Sequence, residues 1–223
     1  MLGVLMLDTR FPRIVGDIGN PATFTCAVRY ATVRGASPQR VVRERDASLL
    51  KPFISAGQAL VRDGATAITT SCGFLVLFQH ELQAALPVPV WTSSLLLLPE
   101  LQASAAPGRA VGVLTVDAAS LSDDHLRCAG AAADTPVEGL AAGCSFQRTL
   151  LNDEAQLDAA AAQQATVAAA QRLVARRPDV AAIVLECTNM PPYADAVRAA
   201  TGRPVHDITS LIARRFRLKD PHS

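Results

Sequence analysis

Two cysteines of this 223-residue chain stand where thiol chemistry is expected. Cys72 closes the run ITTSC and Cys187 closes IVLEC; each is a strand-like stretch that passes into a helix-like one, GFLVLF and TNMPPY. A strand that ends in cysteine and turns into a helix sets the thiol at the carboxyl edge of a sheet, beside the free N–H groups of the helix start. Two such thiols facing one another can invert a stereocentre next to a carboxylate. A thiolate removes a proton from one face and a thiol returns one to the other, with no metal or cofactor. Free cysteine titrates at about 8.5, and a helix start, worth ~0.3–1 kcal/mol, moves it toward neutrality. One thiolate disfavours a second beside it, so the pair supplies one base and one acid. On this reading both thiols alkylate fast near neutral pH. A buried structural cysteine, the reading that suits Cys26, Cys128 and Cys144, does not.

The elements that must position these thiols are duplicated. LGVLMLD (2–8) matches VGVLTVD (111–117), ending in Asp8 and Asp117. The stretch 67–95 lies on 182–210 without a gap, at a constant offset of 115, aligning Cys72 with Cys187, Pro89 with Pro204 and Val90 with Val205. Apolar runs predict strands over 2–8, 26–31, 65–71, 87–91, 110–116, 137–140, 180–186 and 203–206. Helical periodicity falls near 47–63, 73–86, 93–105, 118–131, 152–177, 190–201 and 208–217, the fifth capped by Asn152 and Asp153. Strands alternating with helices imply parallel sheets covered by helices. The expected fold is α/β: two similar subdomains, each a parallel four-stranded sheet with flanking helices, pseudo-twofold related, with the active site in the cleft between them. Residues 1–105 form the first subdomain, with a terminal helix over 207–223 packing back on it, and 106–206 form the second. Arg34–Arg45 reads as a mobile loop near the cleft.

Composition narrows the partners. Half of the chain is apolar, its formal net charge is +1 and aromatics make up 4%, which argues against nucleic acid or an anionic membrane surface as a partner. MLGVLMLDTRFPR has no basic stretch before its apolar run and reads as a first strand, and no apolar run reaches the ~18 residues of a membrane span. Five widely spaced cysteines, an odd number, point to free thiols in a reducing cytoplasm. Neither CxxC nor HxxxH occurs, so no metal site is expected. His206 could polarise a substrate group, whereas Asp207 suits the cap of the last helix; Arg214, Arg215, Arg217 and Lys219 make a basic helix end.

At T-T-S-C-G (69–73), L-E-C-T-N (185–189) and G-D-I-G-N-P-A-T (16–23) the sequence resembles the aspartate/glutamate racemase superfamily, which includes aspartate, glutamate and hydantoin racemases. The resemblance implies two-base proton transfer by Cys72 and Cys187 without cofactor, on a small carboxylate, in a fold that is often a homodimer. It further implies that Ser71, Gly73, Phe74, Thr188 and Asn189 hold the substrate carboxylate, that Thr23 and Thr92 bound the pocket, and that Asp8 supports the site. Asn189 stands where glutamate racemases carry histidine, and Asp8-Thr9-Arg10 lacks their D-S-G context. The expected function is racemisation or epimerisation of a small α-amino acid such as aspartate or glutamate. Rivals on the same scaffold are hydantoin racemisation, maleate-type cis–trans isomerisation and decarboxylation of a disubstituted malonate, the last disfavoured by the presence of both cysteines. A catalytically silent carboxylate-binding protein is the rival from another class.

Overall fold

The computed structural model of the protein describes residues 1–216; Arg217, Lys219 and the rest of 217–223 lie outside the described residues. Two parallel four-stranded sheets form the frame. In the first, β1 (Leu2–Leu7), β2 (Val28–Val33), β3 (Ala67–Thr70) and β4 (Val90–Trp91) lie in the order β2-β1-β3-β4. In the second, β5 (Ala110–Thr115), β6 (Val137–Gly139), β7 (Val180–Leu185) and β8 (Val205–His206) lie in the order β6-β5-β7-β8. The α/β expectation and its two like sheets are therefore what the chain forms. The duplication extends to the hydrogen bonds, because Ser71 N–H donates to the Leu5 carbonyl at 2.9 Å and Glu186 N–H to the Leu114 carbonyl at 2.7 Å. The residue before each cysteine is thus fixed against the central strand of its sheet.

The inner strands are largely buried because helices cover both faces, as parallel sheets require. The helices are α1 (Leu50–Arg62), α2 (Gln79–Ala85), α3 (Leu98–Ser104), α4 (Asp123–Cys128), α5 (Ser145–Leu151), α6 (Ala159–Arg176), α7 (Ala194–Thr201) and α8 (Ile208–Phe216). α1 buries Phe53, Gly57 and Leu60, one stripe at helical spacing. Residues from both sheets join one buried cluster that includes Cys72 and Cys187. Among the described residues no helix is long and apolar enough to cross a membrane.

Three sequence expectations change. The helix expected over 152–177 begins at Ala159, capped by the Asp158 side chain on the Ala161 N–H at 2.9 Å, and a separate helix, α5, precedes it. Asp153 is no cap: it sits at a positive φ of 54° and accepts from the Arg10 backbone N–H at 2.6 Å and Nε at 3.1 Å, a contact between the halves. The segment Arg34–Arg45 folds into a π-helical turn over Gln39–Arg43 with Val41 and Val42 buried, where the sequence suggested a mobile loop. Arg40 fastens it, donating to Asp46 and to the Gly35 carbonyl, and Arg45 reaches the Ser120 carbonyl at 3.1 Å. Finally, the stretch after Cys72 is a 3-10 turn over Gly73–Phe78 before α2, not one helix from 73.

α8 returns to the first sheet, where Ile208 and Ile212 pack with Leu2, Val4 and Ala67, and Phe216 meets Trp91 edge-on at 5.6 Å. Arg214 and Arg215 pair with Glu100, and His206 lies 3.3 Å from Arg214. Asp207 acts as the cap: fully buried, its Oδ1 accepts from the N–H groups of Thr209 and Ser210 and from the Thr209 hydroxyl at 2.7–2.9 Å. Replacing Asp207 with alanine should therefore cost about 1–2 kcal/mol, read as a lower denaturant midpoint with an unchanged slope.

Candidate active site

The two cysteines line one pocket at the seam between the sheets. It opens to solvent at its mouth, and Ser71, Cys72, Gly73, Phe74, Glu186, Cys187, Thr188 and Asn189 form its floor. The walls are apolar: Leu7 and Phe11 after β1, Pro38 and Val42 from the π-helical turn, Val116, and Leu150 and Leu151 at the end of α5. Cys72 is 9% exposed and Cys187 7%.

Direct contacts lock the seam. The Thr188 hydroxyl donates to the Ser71 carbonyl at 2.7 Å, and the Ser94 hydroxyl donates to the Leu185 carbonyl at 2.7 Å. Gly73 lies so close to Glu186 that a Cβ there would stand 2.3 Å from Glu186 Oε1 and 2.4 Å from its carbonyl oxygen. Only glycine fits. The loop after β1 crosses the seam as well. Asp17, 3% exposed, accepts from Asn189 Nδ2 at 2.6 Å, from Arg13 at 3.1 Å and from the Gly19 N–H at 2.7 Å. Gly16 holds a φ of 99° against Pro192, a conformation open to glycine and closed to bulkier residues.

Electrostatics at the floor differ from the sequence expectation. Burial, and after it the Glu186 carboxylate, push the Cys72 thiol up to about 12, while the N–H groups of Phe74 and Leu75 act in the opposite direction. Cys187 is pushed well above the ordinary thiol value by the same two causes, opposed by the Asn189 N–H. The helix-start N–H groups are present, as the sequence suggested, but desolvation outweighs them. The expectation of two thiols depressed toward neutrality is therefore reversed. Cys187 Sγ sits 3.5 Å from Asn189 Oδ1 and donates to it as a thiol. His125 packs edge-on against Phe74 at 5.0 Å, and burial with the nearby Arg45 pushes it down to about 4. It is neutral at pH 7 and stands behind the pocket wall.

Of the residues named from sequence, Cys72, Cys187, Ser71, Gly73, Phe74, Thr188 and Asn189 converge on this pocket, and Asp8, Thr23 and Thr92 do not line it. Asp8 accepts from the Gly35 N–H at 2.9 Å on the surface. The Thr23 hydroxyl pins the loop after β1 by donating to the Asp17 carbonyl at 2.7 Å and accepting from the Gly16 N–H at 2.9 Å. Thr92 is fully buried and donates to Gln79 Oε1 at 2.7 Å. Sequence reasoning passed over Glu186, fully buried, whose Oε2 accepts from the Thr115 hydroxyl at 2.7 Å and which burial pushes up to about 8. The signal was available: an acid ending an apolar strand next to a catalytic-looking cysteine. It also passed over Phe11, Pro38, Val42, Leu150 and Leu151, which come from segments whose structure it did not foresee.

No family model matches the chain. Curated relatives do. The chain is 31% identical over 220 residues to a dimethylsulfoniopropionate lyase of Durusdinium sp. clade D, covering 92% of this chain and 70% of that protein. It is 33% identical to dimethylsulfoniopropionate lyase 7 and 32% identical to dimethylsulfoniopropionate lyase 3, both of Emiliania huxleyi, covering 94% and 92% of this chain but only 64% and 56% of those proteins. Among solved structures it is similar to arylmalonate decarboxylase, with a TM-score of 0.59 at 13% identity over 91% of this chain and 86% of that one. It is also similar to an aspartate racemase homologue from Pyrococcus horikoshii OT3, with a TM-score of 0.55 at 13% identity over 92% of each chain. At that identity the likeness to racemases and decarboxylases is one of fold. The relatives that match along the sequence bear the name of a lyase, which overturns the expected amino-acid racemase and the isomerase class with it. The physical reason is that the two cysteine motifs encode the seam and its thiols. Removing a proton beside a carboxylate begins an elimination as readily as an inversion.

The order of thiol reactivity depends on burial. At pH 8 in the protein alone, iodoacetamide should modify the exposed Cys128 first. Cys72, raised from 9.0 to about 12, should react about 10³-fold more slowly than an ordinary thiol, as measured by peptide mass spectrometry.

Proposed function

We propose that this chain, which belongs to the family of the dimethylsulfoniopropionate lyases and shares its fold with aspartate racemases and arylmalonate decarboxylase, is a lyase eliminating dimethyl sulfide from a β-sulfonio carboxylate such as dimethylsulfoniopropionate. The supporting observation is the convergence of both thiols on one pocket with apolar walls. A thiolate takes the proton from the carbon next to the carboxylate. The electron pair left behind forms the carbon–carbon double bond, the carbon–sulfur bond breaks toward sulfur, and acrylate and neutral dimethyl sulfide result. The proton stays on the thiol until solvent removes it.

The leaving group needs no proton, because a sulfonium departs as an uncharged sulfide. Racemisation requires two groups to move protons; this elimination requires one. We assign the base to Cys72, whose sulfur faces two backbone N–H groups and feels the positive Arg13, whereas Cys187 faces one N–H and donates to Asn189. The substrate carboxylate, which gains charge as the proton leaves, is assigned to the N–H groups of Gly73 and Thr188, which the thiols do not use and where positioned donors act most strongly. The dry walls raise the worth of each of these interactions.

The reading is tested by incubating the purified protein with dimethylsulfoniopropionate and measuring dimethyl sulfide by headspace gas chromatography and acrylate by NMR. Both should appear in equal amounts. Cys72→Ser should lower kcat/KM by about 10²–10⁴-fold, the usual worth of a positioned base, and Cys187→Ser by clearly less. Absence of both products from the folded wild-type protein would overturn the proposal.

A further inference from the structure

One acidic group on the pocket floor takes no part in the elimination. Glu186 is fully buried at the end of β7, and its Oε1 has no hydrogen-bond partner among the described residues. The absence of a side chain at Gly73 leaves room for that oxygen at the seam. No lysine, arginine or histidine is among the residues that line the pocket. Arg13, whose charge acts on Cys72, is committed to Asp17 at 3.1 Å, to the Thr9 hydroxyl at 3.0 Å and to the face of Phe11 at 4.3 Å.

Such a floor discriminates among small carboxylates by the charge at their other end. A dicarboxylate brings a second negative charge to a carboxyl and two thiols that no lining cation offsets. A primary ammonium brings three N–H donors; Glu186 Oε1 can accept one, and walls made of Leu7, Phe11, Val42, Val116, Leu150 and Leu151 offer no acceptor for the others. A fully alkylated onium has no donors to satisfy. Its positive charge is spread over methyl groups, which pack on aliphatic side chains and aromatic faces. A carboxylate oxygen that accepts no hydrogen bond suits such a cation, since the attraction acts through space in a low-dielectric site. We propose that Glu186 is the countercharge that selects, among small carboxylates, those bearing a fully alkylated sulfonium or quaternary ammonium. The inference rests on the lyase reading for its site and extends it to a substrate class.

The groups around Glu186 fit this role. Cys187 on the same loop and Cys72 across the seam are held as thiols, Thr115 donates to Oε2, and Asp17 and Arg13 neutralise one another in the loop above. Burial pushes the carboxyl up to about 8, and a cation seated beside it favours the ionised form.

The test is calorimetric titration of the wild-type protein and of Glu186→Gln with 3-(trimethylammonio)propanoate and with 4,4-dimethylpentanoate, the isostere whose tail is a neutral tert-butyl group. The wild type should bind the onium roughly 10- to 100-fold more tightly, as one partly screened charge pair implies, and in Glu186→Gln the two ligands should bind within about threefold of one another. Glu186→Asp, which keeps the charge, should retain part of the preference. A wild type that binds the isostere as tightly as the onium overturns the proposal without any variant, as does a folded glutamine variant with the wild-type ratio. Because the readout is binding, the two readings fail separately. An onium preference without dimethyl sulfide release would remove the elimination and leave the countercharge. Release with a preference indifferent to Glu186→Gln would do the reverse.

Discussion

The site depends on the way the ends of β3 and β7 meet. The residue before each cysteine touches the residue after the other: Thr188 donates its hydroxyl to the Ser71 carbonyl, and Gly73 lies against the carboxyl and carbonyl of Glu186. The two contacts occupy equivalent places in the duplicated plan, yet their side chains are complementary and not alike. Where one half presents small Ser71, the other sends Thr188 across; where one half presents bulky Glu186, the other retreats to glycine. This exchange of volume brings two backbones into close approach and leaves the thiols between them on one floor. A side chain at position 73 would part the halves, because the obstacle includes backbone oxygen and not only the end of a flexible chain.

Much of this frame was legible in the sequence. The match of 2–8 with 111–117 and of 67–95 with 182–210 reappears as equal sheet orders and as the equivalent bonds of Ser71 to Leu5 and Glu186 to Leu114. Strand periodicity and the paired cysteines are local signals, and they located the floor. The walls were not legible, because they depend on contacts far apart in the chain. Asp153 looked like a helix cap by its type, but the pull of Arg10 across the seam gave it another task, and the helix starts instead behind the cap of Asp158. Arg34–Arg45 suggested a mobile loop, whereas Arg40 and the burial of Val41 and Val42 order it. Thr92 and Thr23 were placed by analogy, and each spends its hydroxyl on a neighbouring main-chain or amide group instead.

The reaction itself was misjudged for a related reason. Thiols at strand ends specify where a proton is taken, and a proton removed beside a carboxylate leaves the same kind of carbanion in either reaction. Its fate is decided at the far end of the substrate: an inert side chain lets the proton return, and a sulfonium on the next carbon leaves before it can. The residues that read the far end are the apolar walls and Glu186. Aliphatic residues on short turns are indistinguishable from core in a sequence, and the acid was hidden by its place in an otherwise apolar strand.

The raised thiols then acquire a consistent meaning. A pocket whose cysteines ionised readily would hold a reactive thiolate beside a carboxylate, and the two charges would repel in a dry site. Burial and Glu186 instead keep both sulfurs protonated. A ligand that carries its own positive charge changes that balance. Placed near Glu186 it offsets the carboxylate, removes the second-largest cause of the thiols' high pKa, and adds its own attraction for a thiolate. On the proposed reading, the sulfonium that will leave as a neutral sulfide is the group that makes the base available. A neutral analogue of the same shape would fill the walls and leave the thiols as they were, so the charge of the onium couples recognition to proton removal in a single step.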